Sequence, residues 1–210
     1  MCLPRHDAAC SRRIRRFPLG LALVVTIATS AACIAEEPPF IRDLFVKHNQ
    51  ARAQNGLKPL RYNALLAKAA QSQAEWMARG RKPVTGRPEE HLREKPATPQ
   101  EFRTCNWYPV NRVINAGYYT WDEMFVEQNG PNGIVVSPRP GTDEWVQENI
   151  ACAVNAGHPA RQTPELIAGW MKSPGHRATI LTPHFEEMGI GTAVIDDTTY
   201  WCVVFAKPGP

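Results

Sequence analysis

The sequence predicts an α+β domain, layered as α-β-α, in which helices flank or cover an antiparallel sheet. Three observations lead there. Two stretches with apolar residues at helical spacing open the body of the chain, and two densely apolar runs joined by a short turn close it. Between them there is no strand–helix alternation and no internal repeat, so a parallel sheet is not indicated. With 210 residues, 43% hydrophobic and 21% charged, the chain suits one packed domain and is too mixed for a disordered tail.

The first 35 residues stand apart. Arg12, Arg13, Arg15 and Arg16 precede an uncharged run from Phe17 to Ala35, with Glu36 and Glu37 directly after it. Basic, apolar, then small residues is the layout of an export signal, and Ala32 or Ala35 suits the cleavage point. A membrane anchor is the alternative for an apolar run of this length. Lipid attachment at Cys33 is disfavoured by Ser30, where a larger aliphatic residue is usual, and the Arg pairs also permit export of a folded protein. Residues 1–35 hold five Arg and one Asp, so all of the formal +4 belongs to the leader. The remaining body is balanced and shows no electrostatic footprint for nucleic acid.

Residues 40–54 carry Ile41, Leu44, Phe45 and His48 on one helical stripe, ended by Asn55-Gly56. GLKPLRYN is extended, because Pro59 is incompatible with a helix interior. Asn63 then caps a second helix, ALLAKAAQSQAEWMARG, whose Leu66, Ala70, Gln73 and Met77 share one side and predict burial. Residues 81–144 read as an irregular excursion with Pro83, Pro88, Pro96, Pro99 and Pro109 in a charged background. Within it a short helix over 112–119 ends at Gly117, and a short strand at 134–136 sits in a surface loop. WVQENIACAV restores order. Thr163 reads as the cap of a helix with Pro164 and Glu165 in its first turn, and 175–181 as a shorter helix. The end is a hairpin, MGIGTAVI and YWCVVFA, turning at 196–199.

The chemistry is sparse. No nucleophile elbow, phosphate loop or dinucleotide fingerprint occurs. Cys105, Cys152 and Cys202 lack metal-ligand spacing; in an exported chain they predict one disulfide, with Cys152 involved, plus a buried thiol. Ser173, three residues before His176 in SPGHR, reads as a helix cap rather than a nucleophile. Arg177 is read as the salt-bridge partner of Glu186 or Glu187. Trp145, Trp170, Tyr200 and Trp201 offer either an aromatic ligand wall or, as their apolar setting favours, core.

The segments HNQARAQNGLKPLRYNALLAKAAQSQAEWMA, ENIA, WMKSPGHRATIL, FEEMGIGTAV and YWCVVFA resemble the bacterial branch of the SCP-domain superfamily, that of the cysteine-rich secretory, antigen 5 and pathogenesis-related 1 proteins. The resemblance spans about 40–206 and implies one domain, a three-layer α-β-α sandwich with a central, mainly antiparallel sheet. It also implies export, secreted or periplasmic, and a groove lined by two histidines with acidic residues. His176 matches the second groove histidine and Glu148 the first acidic residue. Ser173 stands where many eukaryotic relatives have a glutamate, and His91 is the candidate for the first histidine, placed later than usual. His48 matches a helix position that packs inside; His158 lies in a stretch the resemblance does not match and is an optional steric substitute for the missing ligand. With His91, Glu148 and His176 as its ligands, the groove would suit a divalent ion such as zinc. The resemblance implies a non-catalytic binding or interaction module for an extracellular small molecule, lipid or protein. A metal-dependent hydrolase in the same groove is the alternative, with Glu148 orienting or deprotonating water.

Overall fold

The computed structural model describes residues 34–209 except 83, 86–87, 131–132, 143 and 155–156. The export-signal reading therefore lies outside the described residues, apart from Ile34 and Ala35. The elements run α1 (Pro39–Gln54), β1 (Arg61–Tyr62), α2 (Ala64–Arg79), a 3₁₀ turn (Pro88–His91), α3 (Pro99–Thr104), α4 (Pro109–Ala116) and α5 (Trp121–Met124). They continue with β2 (Phe125–Gly130), β3 (Gly133–Pro138), β4 (Val146–Val154), a second 3₁₀ turn (Pro159–Arg161), α6 (Thr163–Lys172), α7 (Pro174–Ile180), β5 (Glu187–Ile195) and β6 (Thr198–Ala206). Among the described residues no helix is long and apolar enough to cross a membrane.

One sheet of order β1-β5-β6-β4 forms the middle layer. It is antiparallel except for the two-residue β1, which runs parallel to β5. Strand β6 is central and covered on both faces, which is why YWCVVFA is a continuous apolar run rather than an alternating one. Tyr200, Cys202, Val204 and Ala206 join Leu66, Met77 and Val113 in one core. Trp201, Val203 and Phe205 join Leu44, Trp170 and Ile180 in the other. The two cores are the two interfaces of an α-β-α sandwich, with α2 and α4 on one side and α1, α6 and α7 on the other, as the sequence predicts.

Contact between α2 and the sheet is unusually close. A Cβ at Gly189 would lie 2.0 Å from the Ala67 amide nitrogen, and one at Gly191 would lie 2.1 Å from that of Gln71. These two glycines meet the backbone of Leu66–Ala67 and of Ala70–Gln71, so helix backbone packs on strand backbone. Alanine at Gly189 would push α2 off the sheet. Asn63 caps this helix as predicted, accepting from the amides of Leu65 at 2.9 Å and Leu66 at 3.3 Å.

The excursion is more ordered than its composition suggests. Thr98 and Glu101 form a capping box that starts α3. The helix expected over 112–119 begins earlier, at Pro109, where the missing amide is harmless, and ends at Gly117 with φ of 93°. Where a loop with one short strand was expected, β2 and β3 pair as an antiparallel hairpin from Phe125↔Pro138 to Gly130↔Gly133. Glu127, Gln128 and Asn129 are exposed in succession, so β2 lacks the apolar alternation that marks a strand.

Three further expectations are corrected. Cys105, Cys152 and Cys202 are all free thiols. The β4–β6 register sets Cys152 opposite Tyr200 and Cys202 opposite Ile150, so these cysteines are diagonal neighbours. Diagonal Cα atoms are separated by ~7–8 Å, beyond the ~6 Å a disulfide favours. Arg177 does not reach Glu186 or Glu187: β1–β5 pairing places Arg61 against both, and Arg177 instead donates to Asn55 Oδ1 at 3.2 Å. Thr163 is the first residue of α6 rather than its cap; its hydroxyl bonds the Asp43 carboxylate.

Candidate functional site

Glu148 and Asn149 sit on β4, at the edge of the sheet, and consecutive strand residues point to opposite faces. ENIA therefore serves two layers. Asn149 turns toward α7 and donates from Nδ2 to the His176 carbonyl at 3.1 Å. Glu148 turns toward α4, where its side chain is 1% exposed.

Three donors meet the Glu148 carboxylate. His91 Nδ1 lies 2.9 Å from Oε1, and Arg112 Nη2 donates to Oε2 at 2.6 Å. The Cys202 thiol donates to the same Oε2 at 3.6 Å. Burial alone would raise the Glu148 pKa, but the Arg112 guanidinium and the His91 bond together hold it below the ordinary carboxylate range. Burial, reinforced by the Glu148 charge, pushes the Cys202 thiol well up, so it stays a protonated donor.

Arg112 is 1% exposed and ties the cleft together. Besides Glu148 it donates to the carbonyls of His91, Asn106 and Trp107 at 3.0–3.4 Å. It thus holds both ends of the His91–Glu148 pair, the imidazole's backbone and the carboxylate. Sequence reading missed it. Its only signal is a charged residue between Val110 and Val113 on a helix, which ordinarily marks a solvent-facing position.

His176 is brought into the same part of the molecule but not into this cluster. Its Nδ1 lies 2.9 Å from Ser173 Oγ, and its ring packs 6.2 Å from that of Trp170. Burial, then the nearby charge of His91, lowers its pKa below 6.5. Ser173 bounds both α6 and α7, yet its side chain caps neither; the hydroxyl is spent on His176, a correction to the capping role expected for it. His176 and Ser173 line a groove of about 480 Å³ along β4 with Thr85, Cys152, Gln162 and Trp170, and neither His91 nor Glu148 contributes to its lining. Glu148 and His176, expected as ligands of one ion, do not bond each other: the carboxylate's imidazole partner is His91. Among the described residues, no group of three or more His, Cys, Asp or Glu is placed to hold a metal ion.

The other candidates are structural. His48 is fully buried, bonded through Nδ1 to the Leu44 carbonyl at 2.8 Å, and burial drives its pKa down to about 4. His158 accepts from the Ala160 amide and packs edge-on against Phe40, and so belongs to the 3₁₀ turn. Trp170, Tyr200 and Trp201 are at most 4% exposed and are core, as their apolar setting suggests.

Comparison with known proteins agrees with this architecture. A family model described as CAP, the cysteine-rich secretory protein family, matches residues 45–205. The fold is similar to that of an outer surface protein from Borrelia burgdorferi, with a TM-score of 0.53 and 15% identity over 80% of this chain and 92% of that one. It is also similar to an extracellular protein containing an SCP domain from Bacillus anthracis, with a TM-score of 0.50 and 17% identity over 80% of this chain. The match covers 40% of that second protein, so this chain corresponds to a part of it. No curated protein sequence matches the chain.

Proposed function

Because the chain belongs to the cysteine-rich secretory protein family, CAP, we propose that it is an exported, non-catalytic binding module, delivered by its leader as a single domain over 40–206. Its polar cleft presents His91 and His176 to an extracellular small molecule, lipid or protein. The observation that carries the reading is the commitment of Glu148. Both carboxylate oxygens are bonded, and its pKa is held low. A carboxylate in that state is a weak base, and at 1% exposure it is closed off from solvent, so it aims His91 rather than activating a nucleophile. The alternative, a metal-dependent hydrolase in this cleft, needs the free carboxylate that Arg112 has taken.

A divalent ion in the cleft would draw on two of the three expected ligands, His91 and His176. With Nδ1 of His91 engaged by Glu148 and Nδ1 of His176 by Ser173, each ring can offer only Nε2. Glu148 would then stand behind His91, fixing its tautomer and raising its basicity, as carboxylates behind metal-binding histidines do. Such an ion would supply a positive centre for a carbonyl or carboxylate ligand. Zinc titration by calorimetry of the parent, His91→Ala, His176→Ala and Glu148→Gln tests this, with folding checked by circular dichroism. Saturable binding at neutral pH should be lost in both histidine variants, weaken by about 10-fold or more in Glu148→Gln, and weaken as pH falls because protons compete for the imidazoles. Binding indifferent to both histidines would overturn the assignment of the cleft, and no saturable binding would remove the ion from it.

A further inference from the structure

Helix α2 is closed by Gly80, Arg81 turns the chain with φ of 44°, and the Lys82 amide donates back to the Met77 carbonyl at 3.0 Å. Past this turn a cleft of about 360 Å³ opens over the ends of β4 and β6. The sheet lends it Cys152, Val154, Ile195 and Tyr200, and the turn lends it Arg81 and Lys82. Directly opposite residues of antiparallel strands share a face, with Cβ atoms ~5 Å apart. Cys152 is opposite Tyr200, whose ring belongs to the α2-side core, so the thiol also faces α2 and this cleft. From the strand edge, Cys152 borders the groove at His176 as well.

Of the three thiols, Cys152 is the open one. Cys105 donates to the Phe102 carbonyl at 3.3 Å and Cys202 to Glu148, whereas Cys152 is half-buried and has no hydrogen-bond partner among the described residues. Its diagonal relation to Cys202 bars an internal disulfide, so an oxidising partner has to come from outside. A second group in the cleft also lacks a partner. Tyr200 is 4% exposed, yet its hydroxyl bonds no group among the described residues and opens on the cleft. Burial raises its pKa, so it remains a donor. The Lys82 ammonium rests 5.1 Å from the centre of the Trp76 ring and makes no ion pair among the described residues. Arg81, by contrast, is paired with Asp196 at 3.0 Å. A thiol beside a phenolic donor and an unpaired ammonium suits a ligand with sulfur at one end and a carboxylate at the other.

We propose that Cys152 is a modification site that forms a mixed disulfide with a small carboxylate-bearing thiol, held through Lys82 and Tyr200. The Cys152 thiol gives its proton to solvent, and its sulfur attacks a low-molecular-mass disulfide of that thiol. A new S–S bond forms as the old one breaks. Cys152 is oxidised, and the departing half is reduced to a thiolate that takes up a proton. The site is independent of the metal reading of the His91–Glu148 cleft.

Glutathione disulfide as probe, with hydroxyethyl disulfide as its uncharged control, tests this on the reduced mature chain. Intact mass should show a single glutathione adduct, peptide mapping should put it on Cys152, and Cys152→Ser should remove it. Lys82→Gln should slow addition from glutathione disulfide by up to about fivefold, the reach of an exposed ion pair. Tyr200→Phe, which keeps the buried ring, should slow it by about threefold, the worth of one hydrogen bond. Neither variant should change the rate with hydroxyethyl disulfide, and His176→Ala should change neither rate. No adduct in the parent, or an adduct at Cys105 in place of Cys152, overturns the site. Indifference to both Lys82→Gln and Tyr200→Phe overturns the role of the cleft, and equal slowing of both probes overturns the carboxylate. Slower addition in His176→Ala would put the incoming disulfide in the groove and overturn its placement.

Discussion

Arg52 on α1 and Arg112 on α4 are both buried to 1% exposure or less, but they are kept there by different partners. Arg52 has carbonyls only: those of Lys58, Ile180, Thr182 and Phe185, at 2.8–3.2 Å. Burial lowers its pKa, and no carboxylate compensates it among the described residues. Arg112 has three carbonyls and Glu148. Backbone acceptors alone are therefore enough to hold a guanidinium inside this fold. At Arg112 the carbonyl contacts are longer, at 3.0–3.4 Å, and the carboxylate at 2.6 Å neutralises the charge as well as aiming His91. The first arginine ties α1 to the segment after α7; the second builds a site.

Removing the structural arginine should have the largest effect. Arg52→Ala leaves four carbonyls short of a donor, those of Ile180 and Phe185 among them buried, and should destabilise by about 4 kcal/mol in urea unfolding. Zinc binding by whatever fraction remains folded should be unchanged. Full stability in Arg52→Ala would break the comparison, because the carbonyl set would then be incidental.

The cleft should respond second, by about 3–4 kcal/mol, when Glu148→Gln leaves the Arg112 charge buried without a counterion. Here, unlike at Arg52, a partner exists. A double-mutant cycle of Glu148→Gln with Arg112→Gln should show a coupling of about 2 kcal/mol. Additivity between the two would mean that the 2.6 Å bond contributes little.

The third effect separates the regions by pH. His48, one turn before Arg52, is neutral in the fold with a pKa of about 4, against 6.5 when unfolded. Its unfolded form takes up a proton first, so stability is complete above pH 6.5 and declines as pH falls toward 4, by about 3 kcal/mol. Glu148, with a lowered pKa, contributes in the same direction but in a lower window: its stabilisation is present above the unfolded value of 4.5 and is lost only below it. His48→Leu should flatten most of the slope between pH 6.5 and 4.5, the remainder belonging to His176, whose pKa is also lowered. Glu148→Gln should alter the slope only below about 4.5. An unchanged profile in His48→Leu would show that other groups carry the upper window.

What could be read from sequence follows from how local each signal is. Helices α1 and α2 and the closing hairpin announce themselves by period and by the cap at Asn63, all within a few residues. Glu148 and His176 were legible through ENIA and SPGHR, and His91 through its place after α2. Arg112 was not, because its partners are Glu148, 36 residues away, and backbone carbonyls, which leave no mark on composition. Gly189 and Gly191 looked like ordinary strand residues, although they decide how closely α2 approaches. Cys152 failed as a disulfide partner for a matter of register alone: a shift of two residues along β6 would set it opposite Cys202. Partners and register are made by the fold, and they carried the site.

The smallest effect concerns Ser173, where a cap was expected and a ring contact was found. Its amide donates back to Gly169 and Trp170, its carbonyl accepts from Arg177, and its hydroxyl bonds His176 Nδ1. Ser173→Ala keeps the backbone bonds and removes only the last, so the cost should be about 1 kcal/mol. Ser173→Thr, which keeps a hydroxyl, should restore the loss, while Ser173→Asp, a good cap, should not. Ring titration of His176 by NMR gives the sharper readout. Its pKa is lowered by burial and by His91, neither of which the serine supplies. In Ser173→Ala the ring should therefore still titrate below 6.5, whereas in His91→Ala it should move up toward that value. The reverse pattern would mean that the serine sets the His176 charge, and that the cleft, like the α1 corner, relies on local bonding more than on its charges.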